Sequence, residues 1–409
     1  MCIRDSGGTG PGRPSRGARL SGPVSADADR GTDGQVTGST GGGAAAGSPR
    51  IWLVVGDRLG DNAQVETLVA GLGLPVERKY VKVVPPWVKG KPKVEPSLHH
   101  LDLDQSDPLE APWPDLVITV GRRLTLVALW IRAQSGGRTK IALVGKPSCS
   151  TDPFALIIVG GEVQIPPGPN VHRTSLPLLR VDEEEVARAA DVWRERLSHL
   201  PRPLIGICVG GPTNPFAFTK GVEDGLVALA KDIAENQGGT PYVTTSPRTP
   251  PDTVEALKAK LPSQARFFEF RPNAADNPYR ALLGLADGFI VTGDSISMLV
   301  EVAKLHKPLA IYPLPYAWLH KLDRGRRSGA RWLYRQGDES QADGLRRGLL
   351  KVGRALHVLP RTRDFTAVHD LLIERGLAVP AGEPLRPSSG DVPNDLPAVV
   401  ERVRALVGR

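Results

Sequence analysis

Four stretches set small and polar residues directly after an apolar run, the position in which an open α/β sheet binds its ligands. The first is Ile205-Gly206-Ile207-Cys208-Val209-Gly210-Gly211-Pro212-Thr213-Asn214. Backbone at Gly210 and Gly211 can approach a phosphate closely, and the helix that follows turns its unpaired N–H groups toward the anion. Thr213 and Asn214 add side-chain donors. The spacing is neither that of a P-loop nor that of the dinucleotide fingerprint, and two glycines after a strand also serve as a plain turn. The second stretch runs from Phe289 to Glu301. Ile296, Leu299, Val300 and Ala303 fall at i, i+3, i+4 and i+7, which makes them the buried stripe of a helix. Thr292, Gly293, Asp294 and Ser295 then sit between strand and helix, with Asp294 or Ser295 as the N-cap. Ser297 and Glu301 lie four apart on the flank of that helix, where a carboxylate can accept from a ribose diol. On the plainer alternative Asp294 and Ser295 are only caps and Glu301 a surface acid. In the third stretch, Thr244 to Pro250, Ser246 and Arg248 offer a hydroxyl and a cation to a diphosphate, or the Ser/Thr/Pro residues merely start a helix. In the fourth, Gly56 to Gln64, Asp57 or Asp61 could be a general base, or Asp61 or Asn62 a helix cap. Gly121-Arg122-Arg123 brings cations to the same edge.

These stretches need sheets to carry them. The 409 residues suggest two domains, and 40% hydrophobic with 23% charged residues is ordinary globular usage. Residues 1–50 hold 13 glycines and almost nothing large and apolar, which predicts a disordered tail. Strands are predicted at 51–55, 76–84, 116–120, 141–144 and 156–159, alternating with helices at 62–72 and 122–134. Residues 85–114 are Pro-rich and read as a surface loop. An amphipathic helix over 182–200 follows, with Val186, Ala189, Trp193, Leu197 and Leu200 on one face. A second alternation begins with a strand at 204–209 and continues to 312. The fold class expected is therefore α/β: two tandem Rossmann-like, doubly wound domains facing a cleft. The divisions are a tail (1–50), a first domain (51–181), a linker helix (182–202), a second domain (203–365), and C-terminal helices (366–409) that could pack back on the first domain.

Cys2, Cys149 and Cys208 are too scattered for a disulfide framework or a zinc site. His99, His100, Asp102 and Asp104 lie in the Pro-rich loop without a strand to fix them, and no metal is assigned there. No apolar run reaches the ~20 residues of a membrane span, and the start has no secretory h-region. From His320 to Arg363 there are 12 Lys and Arg against 4 Asp and Glu, a difference of +8 that equals the net charge of the chain. The segment Lys321 to Arg363 is either a surface for an anionic membrane or a solvated helical face. The expected location is cytoplasmic, on the inner face of a membrane in the first case. No nucleic-acid partner is assigned.

The segments GDRLGDNAQ, PDLVITVGRR, ICVGGPTN, TSPRTP, NPYRALLGLADGFIVTGDSISMLVEV and KPLAIYPLP, in this order over residues 51–320, resemble the mitochondrial fission ELM family. Its bacterial members are classed with glycosyltransferases, and its plant member is an adaptor that recruits a dynamin-related protein. The second half also resembles the donor domain of GT-B glycosyltransferases. That resemblance implies diphosphate contacts at Gly210, Gly211 and Thr213, and diphosphate and ribose contacts at Gly293, Ser295 and Glu301. Asp294 departs from the pattern, because it sets a negative charge beside the phosphates. The function implied is metal-independent transfer from a nucleotide-diphosphate sugar, a co-substrate rather than a cofactor, to an acceptor bound on the first domain. The alternative is a non-catalytic adaptor on the same scaffold.

Overall fold

The computed structural model describes residues 48–90, 92–317, 324–334, 344–355 and 362–408. The expected tail falls almost wholly outside them, as does Lys321. The first half runs β1 (Ile51–Val55), α1 (Leu59–Leu72), β2 (Glu77–Tyr80), β3 (Lys82–Val83), α2 (Pro85–Lys89), β4 (Leu101–Asp102), β5 (Leu116–Val120), α3 (Gly121–Gln134), β6 (Lys140–Val144), β7 (Leu156–Val159), β8 (Val163–Gln164) and β9 (Val171–Arg173). Six of these strands form a parallel sheet in the order β2-β1-β5-β6-β7-β9. β1 and β5 are buried at every position, which is why they are continuous apolar runs rather than alternating ones.

α4 (Glu183–Ser198) leads into the second half. The Asp182 side chain caps it by accepting from Glu185 N at 2.9 Å, and Glu183 to Glu185 occupy its positive first turn. Then come β10 (Leu204–Val209), α5 (Lys220–Lys231), β11 (Thr240–Thr245), α6 (Pro251–Lys260), β12 (Arg266–Phe268), α7 (Tyr279–Leu285), β13 (Gly288–Thr292), α8 (Ile296–Lys304) and β14 (Leu309–Tyr312). The last elements are α9 (Arg324–Leu333), α10 (Gly344–Ala355), β15 (Thr362–Arg363), α11 (Thr366–Glu374), β16 (Val379–Pro380) and α12 (Leu396–Leu406). The second sheet is again parallel, in the order β12-β11-β10-β13-β14-β16. The chain is thus α/β with two doubly wound sheets in tandem, as its alternation of elements predicts.

Each sheet has its own hydrophobic core. α4 packs Val186 and Leu197 into the second core, with Leu200 just beyond its end, and it lies so close to α7 that a Cβ on Gly284 would come 2.8 Å from the Ala190 Cβ. α11 adds Val368 and Leu372 to the same core. α12 returns to the first core with Val399, Val400 and Val403, and Arg404 donates to Leu72 O at the end of α1. The antiparallel pairing of β8 with β15 ties the two halves together at the carboxyl edge of the first sheet.

Both sheets change winding direction at a central strand. β1 has β2 on one side and β5 on the other, and β10 has β11 on one side and β13 on the other. The crevice outside the carboxyl ends of such strands is where ligands bind in open α/β sheets. The four stretches of interest follow β10, β13, β11 and β1, and Gly121-Arg122-Arg123 follows β5, so the topology delivers them to those two crevices.

Candidate functional site

In the second half the loops after β10, β11 and β13 converge on the start of α8. Asp294 is at their centre, with its side chain fully buried. Its Oδ2 accepts from Gly211 N at 2.9 Å, and its Oδ1 accepts from the Thr292 hydroxyl at 2.8 Å. Arg248 Nη2 stands 3.2 Å from Oδ2, and the Ser295 hydroxyl donates to the same oxygen at 3.3 Å. Gly210 N donates to Thr292 Oγ1 at 2.8 Å. Arg248 also donates to Thr213 Oγ1 and, at 3.4 Å, to Ser295 Oγ. Thr249 closes the arrangement from below, donating to Val209 O and Gly210 O at 3.0 and 2.6 Å and accepting from Ser246 N. It is therefore a brace between loops and not a helix cap. Burial pushes the Asp294 carboxyl up, against the Gly211 N–H, Arg248 and the Thr292 and Ser295 hydroxyls, which favour its ionised form.

The structure thus brings Gly210, Gly211, Thr213, Ser246, Arg248, Thr292, Asp294 and Ser295 into one hydrogen-bonded cluster. The Gly210 and Gly211 amides, on the loop expected to approach a phosphate, are paired with Thr292 and Asp294. The glycines are required all the same, because a Cβ on Gly211 would lie 2.0 Å from Arg248 O, and one on Gly210 2.3 Å from the Asp294 carboxylate. Ser295 is the N-cap residue of α8, and no side chain caps the helix, so the N–H groups of its first turn have no side-chain partner. Gly293 is covered by His369 of α11, whose Nε2 donates to Gly293 O at 2.6 Å. Asn214 accepts from Arg327 Nη2 at 3.1 Å.

Ser297 and Glu301 continue along α8 but differ in setting. Ser297 is exposed. Glu301 Oε2 accepts from the Tyr279 hydroxyl at 2.6 Å, and burial raises the pKa of both groups. Cys208 lies near Glu301; burial pushes its thiol up to about 12, so it is an inert packing group.

In the first half the loops after β1, β5, β6 and β7 line a cavity of about 550 Å³. Five cations line it (Arg58, Arg122, Arg123, Lys146 and Arg363) against the three carboxylates Asp57, Asp61 and Glu162. α1 and α3 both begin here without a side-chain cap. Neither Asp61 nor Asn62 caps α1, which starts at Leu59. Asn62 instead clamps the Gly56 peptide, donating to Gly56 O at 2.7 Å. Asp57 Oδ1 accepts from the Tyr80 hydroxyl and from Lys82 Nζ at 3.2 Å. Burial would raise its pKa, but these two donors hold the carboxyl below its ordinary range. Asp61 is 3.8 Å from Arg58 Nη1 and half-buried. Arg122 and Arg123 are partly spent on the Pro-rich segment, where they donate to carbonyls of Pro92, Trp87, Val88 and Gly90.

Glu162 was not among the residues singled out from the sequence. Its Oε2 is shielded from solvent and has no hydrogen-bond partner. Burial pushes its carboxyl up, opposed first by its own backbone N–H and then by the charge of Arg363. The signal was present: Gly160-Gly161-Glu162 follows the apolar run Leu156–Val159, much as Gly210-Gly211 follows β10. A Cβ on Gly160 would lie 2.3 Å from Glu162 Oε2, so glycine there leaves room for the carboxylate.

A larger cavity, about 840 Å³, opens between the halves and is lined by Gly161, Arg173 and Thr174 from the first and by Arg327, Arg331 and Asp364 from the C-terminal elements. The 160–162 turn separates the two cavities. Neither is lined by Gly210, Gly211 or Arg248. Arg327 joins the larger cavity to the second-half cluster through Asn214. Among the described residues no group of three or more His, Cys, Asp or Glu side chains is placed to hold a metal. His100 is buried and donates to Arg123 O at 3.0 Å, while His99 packs against Trp87.

A family model described as "Mitochondrial fission ELM1" matches residues 60–329, well over half of the chain. The chain belongs to the mitochondrial fission ELM1 family. The ELM1 match takes in the whole second-half cluster, with Asp61 and Glu162, and leaves Asp57, Arg363 and the last helices outside. The mitochondrial fission protein ELM1 of Arabidopsis thaliana is 22% identical over 220 residues, 48% of this chain and 51% of that protein. The match thus spans about half the length of that relative. An uncharacterized protein of Rickettsia prowazekii is 23% identical over 300 residues, 65% of this chain and 83% of the other. Among solved structures, the UDP-GlcNAc 2-epimerase of Methanocaldococcus jannaschii is similar at 10% identity with a TM-score of 0.44, covering 88% of this chain and 93% of that one.

Proposed function

We propose that the chain transfers a sugar from a nucleoside-diphosphate sugar to an acceptor hydroxyl, with the donor on the second half and the acceptor on the first. The observation that carries this reading is the meeting of three strand-end loops with Arg248 at the uncapped start of α8, on the side of β10 where the winding reverses. Arg248 and the dipole of α8 supply positive charge where the leaving diphosphate develops negative charge, a contribution worth about 10²–10³ in rate per donor. Glu301, one helical turn or more further along α8, is the acceptor for a ribose diol, in exchange for or beside its bond to Tyr279. The test is thermal unfolding with UDP-, GDP- and ADP-sugars, followed by release of nucleoside diphosphate. A rise in melting temperature with at least one of them is expected.

One observation favours the other reading, a binding protein of the adaptor type. Asp294 already occupies an amide and the cation that a diphosphate would use. Failure of every nucleotide sugar to bind would leave that reading in possession.

The basic segment is proposed as the contact with an anionic membrane, in a narrower form than its sequence predicts. Arg327 is only 8% exposed and donates to Arg363 O and Asn214. Arg331 pairs with Asp370 at 2.8 Å. Arg327 is thus turned into the fold, while the Arg331 side chain stays 42% exposed. Trp332 of α9 and Leu349 and Val352 of α10 are the exposed apolar groups, at 46%, 46% and 56%, and Lys351 is exposed beside them. Large apolar side chains among cations suit the surface of an anionic bilayer. No helix among the described residues is long and apolar enough to cross one. Replacing all three apolar groups by serine should weaken co-sedimentation with phosphatidylglycerol vesicles more than tenfold, since each side chain contributes ~1.5 kcal/mol or more when buried. Equal pelleting of both proteins, or equal pelleting with neutral phosphatidylcholine, would remove the membrane contact.

A further inference from the structure

The first-half cavity holds a combination that the cluster around Asp294 lacks. It is rimmed by cations and by two open helix starts, and it contains a carboxylate oxygen with nothing to accept from. A buried acceptor without a donor is costly to maintain. The cost is kept here by Gly160, whose missing side chain is what admits the carboxylate. Cations and helix starts suit an anion, and Glu162 suits a hydroxyl. A single ligand that satisfies both carries a phosphate and a free hydroxyl.

We propose that this cavity binds a phosphate-bearing hydroxyl compound of the sugar-phosphate class, its anion held by Arg58, Arg363 and the starts of α1 and α3, and its hydroxyl hydrogen-bonded to Glu162. Binding of this ligand stands by itself. A second step rests on the glycosyl-transfer reading above. In it the ligand's hydroxyl oxygen forms a bond to the anomeric carbon of the donor sugar. The bond from that carbon to the diphosphate oxygen breaks, its electron pair leaves with the diphosphate, and the hydroxyl proton passes to Glu162. Asp57 is a poorer proton acceptor, because Tyr80 and Lys82 already occupy its Oδ1 and depress its basicity. Asp61 is only half-buried and faces Arg58. Burial gives Glu162 the higher basicity that general-base work near neutral pH favours, with Arg363 opposing it.

The full chain is titrated with glucose 6-phosphate and, separately, with inorganic phosphate, and thermal unfolding is followed. Both should raise the melting temperature of the native sequence. Glu162→Gln should keep the response to inorganic phosphate and weaken glucose 6-phosphate about tenfold. Gly160→Ala, which displaces the carboxylate without removing it, should do the same and serves if the glutamine variant does not fold. Arg363→Gln should weaken both ligands. No response of the native protein to either ligand overturns the site, and equal glucose 6-phosphate affinity in the native and both variant proteins overturns the role of Glu162. Donor binding is read separately with a nucleotide sugar and Arg248→Ala, so loss of the transfer reading leaves these outcomes unchanged. A further readout needs no ligand. The folded-state pKa of Glu162 is raised, so its contribution to stability is present at low pH and lost as pH rises through that value. The stability of Glu162→Gln relative to the native protein should therefore increase with pH, with Arg58, Asp57, Asp61, Arg122, Arg123, Lys146 and Arg363 facing the same cavity in both. A difference that does not change with pH would show that the carboxylate is not held in this setting.

Discussion

Gly211→Ala should be among the most damaging single substitutions in the second half, lowering the melting temperature by roughly 3–5 °C, which corresponds to about 3 kcal/mol at this chain size. The added Cβ would lie 2.0 Å from Arg248 O and 2.3 Å from Arg248 C. These are backbone atoms and cannot swing aside. The loop after β11 must move, and with it go the bond from Gly211 N to Asp294, the bond from Arg248 to Thr213, and the contact of Arg248 with Ser295. The same variant should lose nucleotide-sugar binding even at temperatures where it is folded. Gly60→Ala is the control. It lies in α1 with nothing within 4 Å of the place a methyl would take, and alanine there should stabilise by about 0.5–1 kcal/mol. Scanning calorimetry of the two variants decides the matter: if Gly211→Ala melts within about 1 °C of the native protein, the loops are not packed as described.

Asp294→Asn should have two effects of opposite sense. Stability should fall by about 1–3 kcal/mol, because the amide NH₂ cannot accept and one of the buried donors now meeting the carboxylate loses its partner. Arg248 is 46% exposed, so loss of its ion pair adds little to that figure. Affinity for a nucleoside diphosphate should rise, by about tenfold or more. At an effective dielectric near 20, two like charges some 4 Å apart repel by about 4 kcal/mol, and Asn removes that repulsion while releasing Arg248 to the phosphates. Calorimetric titration with UDP and GDP measures the change. Unchanged or weaker affinity would mean that the carboxylate supports the site by holding Arg248 in place, and the reading of Asp294 as the ligand's competitor would be lost.

The elements that carry these residues were legible because they are locally determined. β10 was bounded at both ends by proline and glycine, and α4 by its acidic first turn and the prolines after it. Within the cluster, the strand-end position of Gly210, Thr292 and Arg248 followed from the same alternation. What they touch did not. Gly211 and Asp294 are 83 residues apart, and their hydrogen bond exists only because β10 and β13 are neighbours in the sheet. The weakened basicity of Asp57 depends on Tyr80 and Lys82, which reach it from β2 and β3, and β2 is beside β1 only in the folded sheet. Glu162 shows in the sequence only as the acid of a Gly-Gly-Glu turn after β7; that its Oε2 has no partner is set by the fold and not by local spacing. The charge excess after His320 was visible as a sum, but the burial of Arg327 against Asn214 and the pairing of Arg331 with Asp370 depend on the fold. β16, a strand of two residues ending in proline, was read as part of a weak helical region; it adds to the edge of the second sheet, where a missing N–H is tolerated.

The central claim is that the loops around Arg248 grip a nucleotide sugar. It is tested most directly by the melting temperature of the native protein and of Arg248→Ala, each with and without a saturating panel of UDP-, GDP- and ADP-sugars. Binding at about one hundred times the dissociation constant stabilises by about 2.7 kcal/mol, which is several degrees for a chain of this size. The account predicts such a rise for at least one sugar nucleotide in the native protein, and its loss in Arg248→Ala. A panel that moves neither protein, or moves both equally, contradicts it.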